Sequence, residues 1–168
     1  MKISKLRTQW IIFLSIIYTA YTCGISVIMS FLGKSNRAWV DRKIHEWVNR
    51  MLGLVGVKCK IVNPHGTLPQ PGQPTIIMCN HSSLYDIPIS FNAFPNHSIR
   101  MLAKKELSKV PIMGKGMAAA EFLFIDRKNK IQAVKDLEAV RRLLESGIVM
   151  WIAPEGTRSK DGKLANFK

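Results

Sequence analysis

A histidine and an aspartate five positions apart, His81 and Asp86, are the pair in this sequence best suited to acid–base chemistry. They lie in Asn80-His81-Ser82-Ser83-Leu84-Tyr85-Asp86, directly after the apolar run Thr75-Ile76-Ile77-Met78-Cys79. Pro69, Pro71, Gly72 and Pro74 bound that run upstream, so it reads as a buried strand with His81 just past its end. A strand end is rigid while its loop is open, so a side chain there is both held and reachable. A carboxylate at imidazole Nδ1 would fix the tautomer, leave Nε2 as a base and stabilise the imidazolium that forms. The alternative is a polar loop in which Ser82 or Ser83 caps the next helix and His81 merely lies on the surface.

Three further polar clusters each follow a strand-like run. Lys104 and Lys105 follow residues 98–103, Asp126 and Arg127 follow 122–125, and Pro154-Glu155-Gly156-Thr157-Arg158 follows 148–153. If the strands are parallel, their C-terminal ends share one edge of a sheet, where open α/β folds place ligands. Gly156 lets the backbone approach a ligand, Thr157 offers a hydroxyl, and Arg158 a fork matched to phosphate oxygens. Glu155 could orient Arg158 or cap a helix. Lys104 and Lys105 read equally well as a solvated helix start, and Asp126-Arg127 as a salt-bridged turn. The set offers one base and several cations, with no thiol nucleophile and no metal cluster. No Gly-x-Ser-x-Gly elbow surrounds Ser82 or Ser83, which argues against a serine hydrolase.

The elements that must position these groups follow from the pattern of the chain. Its 168 residues are enough for about one domain, and the net charge of +14 asks for an anionic partner. No nucleic-acid module is present, so a membrane fits better than nucleic acid. Cys23, Cys59 and Cys79 match no metal or redox spacing and read as small buried hydrophobes in a reducing compartment. Residues 8–33 carry no charge, and 10–32 are almost wholly apolar, long enough for a retained membrane anchor. Basic residues flank it on both sides, leaving its orientation open.

Ser35 or Asn36 starts a second, amphipathic helix to about Leu54, with Val40, Ile44, Trp47, Val48, Met51 and Val55 on one face. That stripe suits either a membrane interface or packing on the domain that follows. His45 falls on the polar face and His65 in a turn. Residues 57–61 alternate like an edge strand. A short helix over 83–93 and a longer one over 129–146 complete the pattern, the latter with Ile131, Val134, Leu137, Val140 and Leu144 inward. The expectation is an α/β domain over residues 57–168, a largely parallel sheet flanked by helices. A membrane-associated helical pair over 1–56 precedes it.

On its ordered motifs the chain resembles the 1-acylglycerol-3-phosphate acyltransferase family. Residues 80–86 match the family's His-x4-Asp signature, Phe124-Ile125-Asp126-Arg127 its second motif, and Pro154-Glu155-Gly156-Thr157-Arg158-Ser159 its third. Ala103-Lys104-Lys105-Glu106-Leu107 with Val110-Pro111 resembles the segment between the first two. Glu121 stands where the family usually has Gly. A fourth motif, an apolar run containing Pro, has no match before Lys168, so the C-terminal part of the family's domain is expected to be lacking and the acyl pocket incomplete.

The resemblance implies transfer of a fatty acyl group from a carrier thioester to the 2-hydroxyl of lysophosphatidate. His81 and Asp86 would be catalytic, and Arg127, Glu155, Gly156, Thr157 and Arg158, with Lys104 and Lys105, would bind substrate. Neither a metal nor a bound cofactor is expected; acyl-coenzyme A or acyl-acyl carrier protein would be the co-substrate, and a bacterial inner membrane, with the α/β domain on the cytoplasmic side, the location. Two other readings of the same features are an inert, membrane-bound lysophospholipid-binding protein and a basic membrane protein that engages nucleic acid.

Overall fold

A computed structural model of the chain describes residues 4–70, 73–159 and 161–167. Its first element, α1 (Lys5–Phe31), is capped by Ser4, which accepts the Arg7 amide. It is long and apolar enough to cross a membrane. Asn36 caps α2 (Arg37–Val55) through the Trp39 amide, and Gly56 closes it in the left-handed conformation (φ +69°) that favours glycine.

The rest alternates. β1 (Thr75–Met78), α3 (Asp86–Ala93), β2 (Ile99–Lys104), a 3₁₀ turn (Lys105–Lys109), α4 (Met113–Ala119), β3 (Leu123–Ile125), α5 (Lys130–Glu145) and β4 (Val149–Ile152) follow in that order. The four strands form one sheet in the order β1-β4-β2-β3, every pair parallel. This is the expected α/β class, with an apolar helix ahead of it.

Period-two alternation along β4 gives the sheet its two faces. Val149 and Trp151 meet Val48 and Leu52 of α2 and Phe91 of α3. Ile148 and Met150 meet Val140 of α5 on the other side. An apolar run buried on both faces is what a central parallel strand requires. The stripe of α2 thus packs on the domain: Val40, Val48, Met51 and Leu52 are all buried. Helix α1 is held by close approach. A Cβ on Gly116 of α4 would lie 2.3 Å from Cys23 Cβ, and Trp47 Nε1 donates to Thr19 Oγ1 at 3.0 Å.

Two expectations fail. Residues 57–61 form no strand; Val57 and Ile61 lie exposed and no neighbouring strand pairs with them. Cys59 packs against the core while Val57 and Ile61 stay in solvent, so the segment lies over the domain as an irregular stretch. Helix α5 meets the sheet through its second half: Val140 and Leu144 pack inward as expected, but Ile131, Val134 and Leu137 stay at 75%, 62% and 49% exposure. Asp136 shows what the first half meets instead. Its Oδ2 accepts the Asp126 amide at 2.9 Å and Gln132 donates to its Oδ1 at 2.8 Å, which turns this polar side toward the end of β3.

At the opposite, N-terminal edge of the strands lies a charge network that the apolar pattern does not reveal. Arg100 of β2 is fully buried, donating to Asp41 of α2 at 2.7 Å and to Glu121 at 3.1 Å. Arg37 donates to Glu121 at 2.9 Å and to the Ser146 carbonyl at 2.6 Å. Glu121 itself sits at φ +63°, a conformation costing a non-glycine residue about 1–2 kcal/mol. Its two guanidinium partners offset that cost.

The network joins α2, β2, the approach to β3 and the end of α5. Breaking a buried ion pair by removing one partner costs about 3–5 kcal/mol, because the remaining charge is left uncompensated. Arg100→Met leaves part-exposed Asp41 unpaired and Glu121 with Arg37 alone, so it is expected to cost less than that, about 1–3 kcal/mol, whereas Arg37→Met, at a part-exposed site, should cost about 1 kcal/mol or less. Denaturant titration in detergent would measure both. Equal losses would refute the distinction.

Candidate active site

Because every strand pair is parallel, the segments after the strands gather along one edge of the sheet. The ladder between β1 and β4 extends one step further, the Cys79 amide donating to the Ile152 carbonyl at 3.2 Å. His81 follows two residues later. Its Nδ1 lies 2.9 Å from Asp86 Oδ2, in the first turn of α3. The same carboxylate oxygen accepts the amides of Ser82 at 2.7 Å and Ser83 at 2.8 Å. Burial works to raise the Asp86 pKa, but the Ser83 and Ser82 amides and the His81 ring outweigh it, and the carboxyl lies below its ordinary range. Asp86 is then ionised at neutral pH and can only accept. Nδ1 must carry the proton, and Nε2 is left as the basic nitrogen. Both side chains are largely enclosed, at 17% and 21% exposure.

The backbone of His81 is held as firmly as its ring. Glu155 is fully buried in the turn after β4, and its Oε1 accepts the His81 amide at 2.8 Å. Its Oε2 accepts the Ala165 amide at 2.9 Å. The Ser159 amide donates to the His81 carbonyl at 2.7 Å. Glu155 thus meets backbone groups rather than solvent, and among the described residues neither Arg158 nor a helix end is its partner. Beneath the imidazole lies the buried Trp151 indole, edge to face at 6.0 Å between centroids. Neither Trp151 nor Ser159 stands out from the sequence as a site residue. Alternation along β4 does give Trp151 its face, but not its partner.

The basic residues divide into paired and unpaired. Arg127 donates from Nη1 to the Gly156 carbonyl at 2.6 Å, tying the turn after β3 to the turn after β4. Lys105 pairs with Asp126 at 2.9 Å, and its ammonium holds that carboxyl below the usual range. Lys104, the last residue of β2, is exposed, as are Thr157 and Arg158. Among the described residues, Lys104 and Arg158 have no hydrogen-bonding partner. His81, Asp86, Glu155 and Ser159 are therefore linked directly and Arg127 is tied to Gly156, while Lys105 joins through Asp126, which neighbours Arg127 in the chain. An oriented base beside free and half-free cations is equipped to take a proton from an anionic substrate.

A family model described as Acyltransferase matches residues 61–168. A 1-acyl-sn-glycerol-3-phosphate acyltransferase from Helicobacter pylori is 32% identical over 149 residues, covering 86% of this chain and 59% of that protein. The enzyme of the same name from Saccharomyces cerevisiae is 28% identical over 141 residues, covering 83% and 45%. The crystal structure of the 1-acyl-sn-glycerophosphate (LPA) acyltransferase PlsC from Thermotoga maritima superposes with a TM-score of 0.72 at 28% identity. That match covers 97% of this chain and 65% of the other. The chain spans about half the length of the curated relatives it matches. With the family match over most of its length and the sheet of a solved relative, the chain belongs to the acyltransferase family and is kin to its 1-acylglycerol-3-phosphate members.

Proposed function

We propose that the chain carries the catalytic half of a 1-acylglycerol-3-phosphate acyltransferase, moving a fatty acyl group from a carrier thioester to the 2-hydroxyl of lysophosphatidate to give phosphatidate. The observation that carries this reading is the His81–Asp86 pair, its second ring nitrogen unclaimed, beside unpaired Arg158 at the same edge. His81 Nε2 removes the acceptor's hydroxyl proton as that oxygen attacks the thioester carbonyl. Asp86 stabilises the imidazolium. Collapse of the tetrahedral intermediate breaks the carbon–sulfur bond, and the thiolate leaves and takes the proton back from His81. Since the acceptor attacks directly, no acyl-enzyme forms.

Arg158 and the free donors of Arg127 hold the acceptor phosphate and so fix the distance from hydroxyl to base. Lys104 and Lys105 extend the same basic rim. Glu155 acts one step back, through the His81 backbone. Acyl-coenzyme A and acyl-acyl carrier protein both bring a thioester on an anionic carrier, so either suits the basic surface. Helix α1 keeps the site at a membrane, where acceptor and product reside.

General base catalysis is worth roughly 10²–10⁴-fold. His81→Ala should therefore lose at least that factor in kcat with labelled lysophosphatidate and either thioester donor, while keeping its fold. Arg158→Ala should instead raise KM for lysophosphatidate and leave donor KM alone. Near-normal turnover of His81→Ala would refute the base assignment; an effect of Arg158→Ala confined to the donor would refute the phosphate role. Lysophosphatidate binding without turnover in the wild-type protein would favour an inert binding protein.

Asp86 also predicts a pH dependence. Its folded pKa lies below the unfolded value, so its charge stabilises the fold at pH above the ordinary aspartate range. That contribution fades as pH falls through the lower, folded value. Asp86→Asn should be less stable than wild type at neutral pH, and the two should converge in acid. A constant gap at every pH would contradict the depressed pKa.

A further inference from the structure

Between α1 and α2 lies an open cleft of about 410 Å³ lined by Tyr18, Glu46, Asn49 and Arg50. Arg50 is on the side of α2 turned away from the sheet. At about 100° per residue it stands roughly 200° from Val48, which packs in the core. The cleft is therefore separate from the edge that carries His81. The Arg50 guanidinium lies 5.1 Å from the centre of the Tyr18 ring. This cation–π contact holds the guanidinium over the ring while its N–H groups stay free to donate. No carboxylate pairs with Arg50 among the described residues. Glu46, the acid in the cleft wall, is taken by Lys43 at 2.6 Å. Asn49 adds an amide beside the fork. Round α1 from Tyr18, beginning about 60° away at Tyr21, runs an exposed apolar strip of Tyr21, Ile17 and Phe13 at 60%, 48% and 52%.

We infer that this cleft seats the phosphate of an anionic membrane lipid, distinct from the acyl acceptor, with its chains along α1. The chemistry matches at both ends. A pre-oriented guanidinium with unspent donors suits phosphate oxygens, and an uncharged helix face beside it suits acyl chains. Such a lipid would sit on the side of α2 opposite Val48 and Leu52, which pack with Trp151 under the catalytic imidazole. The inference rests on α1 lying in a bilayer.

The test uses the whole chain in reconstituted bilayers. Quenching of tryptophan fluorescence by brominated phosphatidylglycerol is compared with quenching by brominated phosphatidylcholine. A charge-assisted fork on phosphate should give wild type about a tenfold or greater preference for the anionic lipid. Arg50→Gln and Arg50→Lys should both lose it, since lysine keeps the charge but not the stacked fork. Arg42→Gln, which removes an exposed charge from the same helix, should change it by at most about fivefold. Retention of the preference in Arg50→Lys, or equal loss in Arg42→Gln, would overturn the seat and leave only diffuse charge attraction. Displacement of the anionic lipid by millimolar inorganic phosphate would overturn the lipid assignment in favour of a soluble ligand. Absence of quenching by either lipid would instead remove the membrane placement of α1, and the seat with it.

Discussion

Glu155 is a carboxylate with no exposed surface, and it spends one oxygen on the amide of His81 and the other on the amide of Ala165. Burying such a group is costly unless hydrogen bonds satisfy it. The contacts that satisfy it are the ones that set the height of the His81 loop above the sheet. Around that point the other constraints assemble. Ser159 holds the His81 carbonyl, Asp86 holds the ring, and Arg127 anchors the turn that carries Glu155 through the Gly156 carbonyl. A base serves a reaction only when it is fixed to within a fraction of an ångström of the proton it takes. Here the fixing groups come from the ends of β1, β3 and β4, and α3 supplies the carboxylate.

The opposite edge of the sheet carries the complementary constraint. Arg100, buried between Asp41 and Glu121, locks α2 to the sheet, while Gly116 and Trp47 lock α1 to α4 and α2. Both helices are thus rigidly coupled to the domain. A force or a ligand acting on the α1–α2 pair reaches the site through Val48, Leu52 and Trp151 without crossing a flexible joint.

Much of this was legible in the sequence. Runs of apolar residues between turn signals locate all four strands, and the residue after each strand end locates the polar edge. Asn36, Asn129 and Gly56 mark helix ends for local reasons that sequence carries well. What stayed hidden depends on distant partners. In the first half of α5 Asp136 reaches the Asp126 amide, while the apolar stripe of Ile131, Val134 and Leu137 stays exposed. Alternation over 57–61 looks like a strand, but a strand exists only where another pairs with it. Glu121 in a left-handed conformation makes sense only once Arg37 and Arg100 are seen beside it. Helix α4 is short and contains two glycines, because Gly116 admits α1 at Cys23 and Gly114 admits the backbone of the 3₁₀ turn at Leu107 and Ser108. Glu155 reads in sequence as a neighbour of Arg158, whereas its partners are backbone amides at positions 81 and 165.

The central claim is that the ionised Asp86 carboxylate holds the proton on His81 Nδ1 and leaves Nε2 free to act as the base. Nitrogen-15 NMR of imidazole-labelled protein reports this directly, with the His81 signals identified by their loss in His81→Gln. In the neutral imidazole the account predicts the proton on Nδ1 and a bare Nε2. Signals from the opposite tautomer, with the proton on Nε2, would contradict it.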